Sequence, residues 1–323
     1  MTQGSVVVIS GGVGGAKLVL GLSRHLRGDA LTVIANSGDD FEHFGLTISP
    51  DLDTTLYTLA DLVHPEQGWG RRGETWTFMN VVETLGGETW FRLGDGDLAL
   101  HVERTRRLAA GEPLSAIMAD VARRFGVTAQ VLPMSDQRVR TVVETDEGPL
   151  GFQHYFVRRQ SAPCIRAVRF DGAETAKPAP GALERLSARG TDAIIIAPSN
   201  PYLSIDPILS VPGYRAVLRT AEAPVIAVSP IVAGKAIKGP TAKIMAELGL
   251  PVSPLAIARH YEGLIDGFVL DARDAALAPQ FDLPLAVIDT VMTTLEDKRR
   301  VAKETLDFAA TLPRRARAGA AAS

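Results

Sequence analysis

The sequence predicts an α/β fold: a doubly wound, Rossmann-like, mainly parallel sheet with a helical insertion that acts as a lid. Short apolar runs rich in β-branched residues recur along the chain, and each is followed by a loop of Gly, Ser, Asn or Pro. These runs show no polar alternation, which is typical of strands covered on both faces. Helical apolar spacing separates them, and this order indicates parallel strands joined by helices. We expect strands at 6–10, 31–35, 193–198, 224–230, 267–271 and 285–289.

One long segment interrupts this alternation, because its apolar residues recur every three to four positions without an intervening strand pattern. We predict a helical insertion at 56–134 that covers the carboxyl edge of the sheet, where open α/β sheets bind ligands. The nucleotide-binding core then comprises 1–55 and 135–310, with a small β segment at 139–170. Residues 311–323 are predicted to form a disordered tail.

Composition and charge exclude several classes of protein. A net charge of −3 over 323 residues argues against a general nucleic-acid binder, which needs a basic face. The arginines at 104, 106 and 107 are interpreted as solvated helix surface. One cysteine, Cys164, excludes an internal disulfide and is typical of a reducing compartment. No apolar run reaches membrane-spanning length. We expect a cytoplasmic protein that acts on small molecules, with no nucleic acid or membrane as partner.

A glycine-rich turn after the first predicted strand indicates an anion-binding site. Residues 6–17 read VVVISGGVGGAK, and a helix is predicted to follow. Glycine permits positive φ and lacks the Cβ atom that would hold a ligand away. The N–H groups and dipole of the helix N-terminus then point at a bound phosphate. We expect a nucleotide or diphosphate to bind Gly11, Gly12, Gly14, Gly15 and Lys17.

This turn matches neither of the two best-known phosphate fingerprints. A Walker A loop has Ser or Thr after its lysine, whereas Leu18 follows Lys17 here. The glycines are spaced as GGxGG instead of GxGxxG, and no acidic residue ends the second strand at 31–35. A tight turn that binds nothing and a site for NAD remain as alternatives.

An acidic segment follows the second predicted strand. Residues 36–54 contain Asp39, Asp40, Asp51 and Asp53 within a short stretch. Mg²⁺ in nucleotide sites takes one or two carboxylates together with phosphate oxygens, so these residues are candidate magnesium ligands. Helix capping by Asp53 and an Asx-turn at Asp39 are the structural alternatives.

Polar residues also follow three later elements that should meet the same sheet edge. Arg92 lies in a short loop before a predicted helix and can contact a phosphate or an aromatic ring. Ser199, Asn200 and Ser229 follow two strands and can offer hydroxyl or amide groups to a base or ribose. Lys238 can neutralise phosphate.

Taken in order, GGVGGAKL, NSGDDFEHFGLTISPDLDT, FRLGDGDLALH, APSNPYLSI and SPIVAGKAIKGP resemble the 2-phospholactate transferases of coenzyme F-420 biosynthesis. The resemblance implies transfer of a phospho-acid from its guanosine diphosphate ester to 7,8-didemethyl-8-hydroxy-5-deazariboflavin, with release of GMP. The acid can be phospholactyl, phosphoenolpyruvyl or 3-phosphoglyceryl, and the sequence leaves this choice open. A homodimer is also implied.

The resemblance further implies roles for the candidate residues. Asp40 and one or both of Asp51 and Asp53 would coordinate Mg²⁺. Asp53 and Arg92 would line the deazaflavin pocket, and Asp53 would orient the attacking hydroxyl or accept its proton. Guanosine would lie over 197–204 and 229–239, where Asn200 and Lys238 are the expected contacts.

One competing function comes from a different class of protein. Regulatory proteins of the gluconeogenesis-factor type resemble this chain in the first turn and in the NxGDD pattern, but they bind UDP-sugars without catalysis. The PDLDT and FRLGDGD segments favour the transferase, because they supply carboxylates and an arginine for an acceptor. A nicotinamide dehydrogenase is the third alternative.

Overall fold

The structure, a computed structural model, describes residues 4–237 and 239–315. Its strands in chain order are β1 (Ser5–Ser10), β2 (Leu31–Ala35), β3 (Phe41–His43), β4 (Leu46–Ile48), β5 (Gln130–Pro133), β6 (Arg140–Thr145), β7 (Gly148–Gly151), β8 (Ile165–Asp171), β9 (Thr191–Ile196), β10 (Val225–Val228), β11 (Ile231–Val232), β12 (Lys235–Ala236), β13 (Gly267–Asp271) and β14 (Leu285–Ile288). Its α-helices are α1 (Gly12–Ser23), α2 (Pro50–Leu59), α3 (Thr77–Thr84), α4 (Asp95–Ala109), α5 (Leu114–Arg124), α6 (Ala182–Ser187), α7 (Asp206–Ser210), α8 (Tyr214–Thr220), α9 (Thr241–Glu247), α10 (Pro254–His260) and α11 (Leu295–Thr311).

The central sheet has seven strands in the order β14-β13-β10-β9-β1-β2-β5. Every pairing within it is parallel, which confirms the predicted α/β, Rossmann-like class. Chain order reverses between β1 and β9, so the loops that leave these two strands border one crevice. Open parallel sheets bind ligands at such a switch point.

The sheet is covered on both faces by apolar helices. The residues of β1, β2, β9, β10 and β13 are almost all buried, as the uninterrupted apolar runs predict. On one face, α1, α2, α5 and α11 bury a single apolar cluster against the strands. On the other face, helices α6 to α10 form a second apolar cluster with the small sheet of β6, β7 and β8. Within the described ranges, no helix combines the length and apolarity that a membrane crossing requires.

The predicted insertion contains helices α3, α4 and α5, but it ends earlier than position 134. Its last stretch includes β5, which pairs with β2 at the edge of the central sheet. This strand is short and ends in Pro133, which is tolerated at an edge, so its pattern is weak. The β segment predicted at 139–170 is confirmed as an antiparallel sheet in the order β7-β6-β8.

The first five residues of the predicted disordered tail, 311–315, have a defined structure. Helix α11 continues to Thr311, Arg314 donates to the carbonyls of Thr191 and Arg189, and Arg315 also binds the core. Arg315 donates to Asp266 at 2.6 Å and to the carbonyl of Leu264 at 3.1 Å. The disorder prediction therefore fails for 311–315, because these two arginines find acceptors on the core. Residues 316–323 lie outside the described part of the chain.

Candidate active site

A cavity of about 960 Å³ lies at the carboxyl edge of the sheet, between the glycine turn, α2 and the insertion. Most residues that the sequence singled out line it: Gly11, Gly12, Gly14, Lys17, Asp51, Asp53, Arg92, Ser199, Asn200 and Ser229. Gly15 and Asp40 are not among the lining residues. Lys238, the remaining candidate, lies outside the described residues.

The glycine turn is built so that its backbone can approach a ligand. Gly12 has φ +63°, which favours glycine. A Cβ on Gly14 would lie 2.5 Å from the carbonyl oxygen of Pro198, so the turn packs tightly on the loop after β9. Val13 and Gly14 lie in the first turn of α1 and line the cavity, and first-turn N–H groups have no acceptor within their own helix. These N–H groups suit an anion.

Two polar groups of the turn, the N–H of Gly11 and the ammonium of Lys17, already have hydrogen-bond partners within the protein. The N–H of Gly11 donates to the hydroxyl of Ser199 at 3.1 Å, and that hydroxyl donates to the carbonyl of Gly11 at 2.7 Å. Lys17 donates to the carbonyl of Met292 at 2.7 Å. Ser199 therefore ties the turn to the loop after β9, and Lys17 directs one of its three N–H donors at Met292.

Asp39 and Asp51 form a buried acidic pair at the wall of the cavity beside the glycine turn. Asp51 accepts a hydrogen bond from Asn36 Nδ2 at 3.0 Å. Burial raises the pKa of Asp51 to about 6, and burial together with the charge of Asp51 raises the pKa of Asp39 well above its usual range. Oδ1 of Asp39 finds no hydrogen-bond donor within the described ranges. Buried carboxylates with an unsatisfied oxygen are a donor set that suits a hard divalent cation.

Asp40, like Asp39, has a buried Oδ1 that no donor among the described residues reaches, but Asp40 does not line the cavity. Its Oδ2 accepts a hydrogen bond from Ser49 at 2.7 Å, and the side chain is buried behind the cavity wall. Burial raises its pKa to about 7, and the charge of Arg140 opposes that shift. The structure thus brings Asp39, and not Asp40, to the cavity beside Asp51.

Asp53 is held by an arginine from the insertion. Arg104 of α4 is fully buried and donates to both carboxylate oxygens of Asp53, to Oδ2 at 3.0 Å and to Oδ1 in a closer contact. Burial alone would lower the pKa of Arg104, but the charge of Asp53 and the hydrogen bonds to it raise that pKa overall. Asp53 therefore lines the cavity as a carboxylate whose charge is paired with that of Arg104.

Further polar side chains lie next to the Asp53–Arg104 pair. The ring of His101 lies between two carboxylates, with Nδ1 3.7 Å from Asp53 Oδ2 and Nε2 3.4 Å from Asp97 Oδ2. The hydroxyl of Tyr57 donates to Asp97 at 2.6 Å. Asp53, Asp97 and His101 each offer one ligand atom within 4.8 Å of the others. However, the two ring nitrogens face different carboxylates, which favours a ring packed between the two carboxylates over a shared metal.

Aromatic side chains form a large part of the cavity wall. The guanidinium of Arg92 stacks over the ring of Trp76 at 4.3 Å. Trp69, Trp90, Phe91, Phe152 and Phe156 also line the cavity. A wall of this composition suits a flat aromatic ligand, because rings stack on both arginine and aromatic faces.

The loops after β9 and β10 also carry polar groups to the cavity wall. Oδ1 of Asn200 accepts from the N–H groups of Tyr202 and Leu203, at 3.0 and 3.2 Å, which fixes the side chain. Its buried Nδ2 has no acceptor among the described residues. The hydroxyl of Ser229 donates to the carbonyl of Ile231 at 2.7 Å and so shapes its own turn.

Sequence reasoning missed several residues of the site. Arg104 was assigned to solvated surface, although it is fully buried. His101 and Tyr57 were not singled out. The available signal was the spacing of Asp97, His101 and Arg104, since positions four and three residues apart share one helix face.

Comparison with solved structures bears on the fold. Two crystal structures of a UPF0052-family protein from Bacillus halodurans superpose with TM-scores of 0.62 and 0.60, at 16% and 17% identity. Each alignment covers 95% of this chain and 99% of the other. At such low identity, the similarity shows a shared fold alone.

Comparison with known sequences bears on the family. A phosphoenolpyruvate transferase of Streptomyces griseus is 40% identical over 94% of this chain and 98% of its own. A 2-phospho-L-lactate transferase of Methanopyrus kandleri is 40% identical over 93% of this chain and 96% of its own, and that of Methanosarcina mazei is 36% identical. The model of the family described as 2-phospho-L-lactate transferase CofD matches residues 6–282. The chain therefore belongs to the CofD family of transferases.

Proposed function

We propose that the protein transfers a phospho-acid group from its guanosine diphosphate ester to 7,8-didemethyl-8-hydroxy-5-deazariboflavin, in the biosynthesis of coenzyme F-420. The terminal ribityl hydroxyl of the deazaflavin attacks the phosphorus that bears the acid. A new P–O bond forms to the acceptor, the bridging P–O bond breaks, and GMP leaves with the bond electrons. The hydroxyl proton is released to a carboxylate of the protein.

The observation that supports this proposal most is that two chemically different groups of residues line one cavity. The phosphate end is defined by the first turn of α1, and the aromatic end is defined by the stacked Arg92 and Trp76. Asp53 lines the cavity that joins them. A reaction between a diphosphate ester and a flat aromatic acceptor requires such a pair of sites, since phosphoryl transfer depends chiefly on positioning and charge neutralisation.

At the phosphate end, Asp39 and Asp51 are the proposed magnesium ligands. Their buried, mutually repelling carboxylates and the unsatisfied Oδ1 of Asp39 support this assignment. Mg²⁺ bound there would neutralise part of the diphosphate charge. Asp53 and Asp40, which the sequence also suggested as ligands, have Arg104 and Ser49 as their partners.

At the aromatic end, Arg92 and Trp76 are proposed to bind the deazaflavin ring, so that its ribityl chain extends toward Asp53. Asp53 then orients the attacking hydroxyl and accepts its proton. The unsatisfied Nδ2 of Asn200 supports a contact with the guanosine. Lys238 remains a candidate from sequence for the nucleotide.

The identity of the acid is not selected by similarity. The Streptomyces griseus relative is named for phosphoenolpyruvate and the Methanopyrus kandleri relative for 2-phospho-L-lactate, yet both are 40% identical to this chain. A cytoplasmic homodimer is proposed on the family resemblance.

Calorimetric titration tests the two-ended cavity against the UDP-sugar alternative. We expect GDP with Mg²⁺ and the deazaflavin to bind together in one ternary complex, and Arg92→Ala to weaken only the deazaflavin. A protein that binds UDP-sugars and neither of these two ligands would contradict the proposal.

A further inference from the structure

We propose that Arg104 is a positioning residue for the transfer reaction, which acts through its bidentate hydrogen bonds to Asp53. The inference rests on the proposed function, because it assigns Asp53 to the attacking hydroxyl. Arg104 itself does not line the cavity. Its effect on the reaction would therefore pass through the carboxylate that it holds.

The first argument is the cost of burying this arginine. Arg104 is 0% exposed and is the largest fully buried side chain among the described residues. A buried ion pair often stabilises a protein less than apolar residues of equal volume, because both charges lose their hydration. Such a pair at the wall of a binding cavity indicates a use beyond stability.

The second argument is the geometry of the contact. Nη1 and Nη2 of Arg104 bind Oδ2 and Oδ1 of Asp53 respectively, so the planar guanidinium fixes the plane of the carboxylate. On its other side, Asp53 faces Nδ1 of His101 at 3.7 Å. The carboxylate therefore lies against two residues of α4, and Arg104 makes the hydrogen bonds that fix its orientation.

The third argument is which elements the contact joins. Asp53 lies in the first turn of α2, beside the acidic pair at the phosphate end. Arg104 and His101 lie in α4, whose N-cap Gly94 and first-turn residue Asp97 line the cavity with Arg92. The contact thus connects the helix that carries the proposed base to the insertion that carries the proposed acceptor site.

Kinetics of Arg104→Lys test the inference, with Arg107→Lys as matched control. Lysine keeps the positive charge but cannot bind both carboxylate oxygens in one plane. We expect kcat to fall by about 100-fold, as for a small misplacement of a reacting group, with little change in the KM of the donor. Arg107 lies on the same helix and contacts Glu112 and Asp120 without lining the cavity, so Arg107→Lys should retain the kcat of the parent.

A second variant separates positioning from folding. In Arg104→Ala, added guanidinium at low millimolar concentration should restore activity, and methylammonium at the same concentration should not. Equal rescue by both cations, or an unchanged kcat in Arg104→Lys, would overturn the inference. If the parent protein itself forms no product, the proposed function fails instead, so the two failures are distinguishable.

Discussion

At the scale of single residues, the aspartates of the 36–54 segment differ in the side chains that they contact, which their spacing in the sequence does not reveal. Asp39 and Asp51 meet as a buried acidic pair, Asp40 is bonded to Ser49, and Asp53 is bonded to Arg104. Chain spacing placed these carboxylates at one sheet edge. It could not assign their partners, because Arg104 follows Asp53 by 51 positions and lies on a helix of the insertion.

Replacement of Asp53 tests its role at this scale. Asp53→Asn keeps the shape of the side chain but removes the proton acceptor, so we expect transfer to fall by about 100-fold or more. Binding of GDP should persist, because the first turn of α1 is unaltered. Steady-state rates and calorimetric titration measure the two effects. Unchanged turnover would remove Asp53 from the mechanism.

Replacement of Gly14 tests the glycine turn. In Gly14→Val the added Cβ meets the carbonyl of Pro198, which displaces the first turn of α1. Loss of one charged hydrogen bond costs about 1.5–3 kcal/mol, so GDP should bind at least about tenfold more weakly. Gly190→Val is the control, since a Cβ there meets nothing within 4 Å. Equal affinity in both variants would give the turn another role.

At the scale of elements, carboxylates join the loop before α3 to the start of α4. Glu74 accepts from the N–H groups of Gly96 and Asp97 at 2.6 and 3.0 Å, which caps α4. Asp95 in turn accepts from the N–H groups of Thr77 and Phe78, both at 3.0 Å, which caps α3. Helical periodicity predicted both helices, but such reciprocal caps come from loops and leave no periodic signal.

An aromatic cluster holds the β3–β4 hairpin against the insertion. His43 is buried there, with its ring centroid 4.0 Å from that of Phe44 and 5.2 Å from that of Trp90. Burial lowers the pKa of His43 below 6.5. The neutral ring is therefore the form that the folded protein prefers.

This shift predicts a pH dependence of stability. Below pH 6.5 the unfolded chain gains a proton on His43 that the folded protein resists, so stability falls as pH drops from 6.5 toward the lowered folded pKa. We expect the difference in unfolding free energy between the parent and His43→Gln to shrink between pH 7.5 and 5.5. Denaturant titrations of both proteins measure it, and a difference that is constant with pH would contradict the buried neutral ring.

At the scale of the whole molecule, the sequence predicts which segments form the central sheet, with the exception of β5. The six predicted strands all belong to it, because continuous β-branched runs are distinctive. The edge strand β5 and the long helix α11 were not predicted. β5 has only four residues, QVLP, so its apolar run is too short to stand out from the helical insertion, and α11 is mostly polar with one narrow buried face.

The anchoring of Arg315 predicts a stability effect without a catalytic one. This side chain binds Asp266 and the carbonyl of Leu264, and it is half-buried. Arg315→Ala should lower the free energy of unfolding by about 1.5–3 kcal/mol. Lys303→Ala, which removes an exposed pair with Asp307, should cost less than about 0.5 kcal/mol. Both variants should retain kcat, and a large loss of kcat in Arg315→Ala would contradict this separation.

The central claim is that one cavity brings a guanylylated phospho-acid and a deazaflavin together for transfer. Mass spectrometry of the product tests it most directly, with the deazaflavin and Mg²⁺ incubated with each of the phospholactyl, phosphoenolpyruvyl and 3-phosphoglyceryl donors. We predict that at least one donor yields the deazaflavin carrying its phospho-acid, together with one equivalent of GMP. Failure of all three donors to modify the deazaflavin, with both substrates bound, would contradict the account.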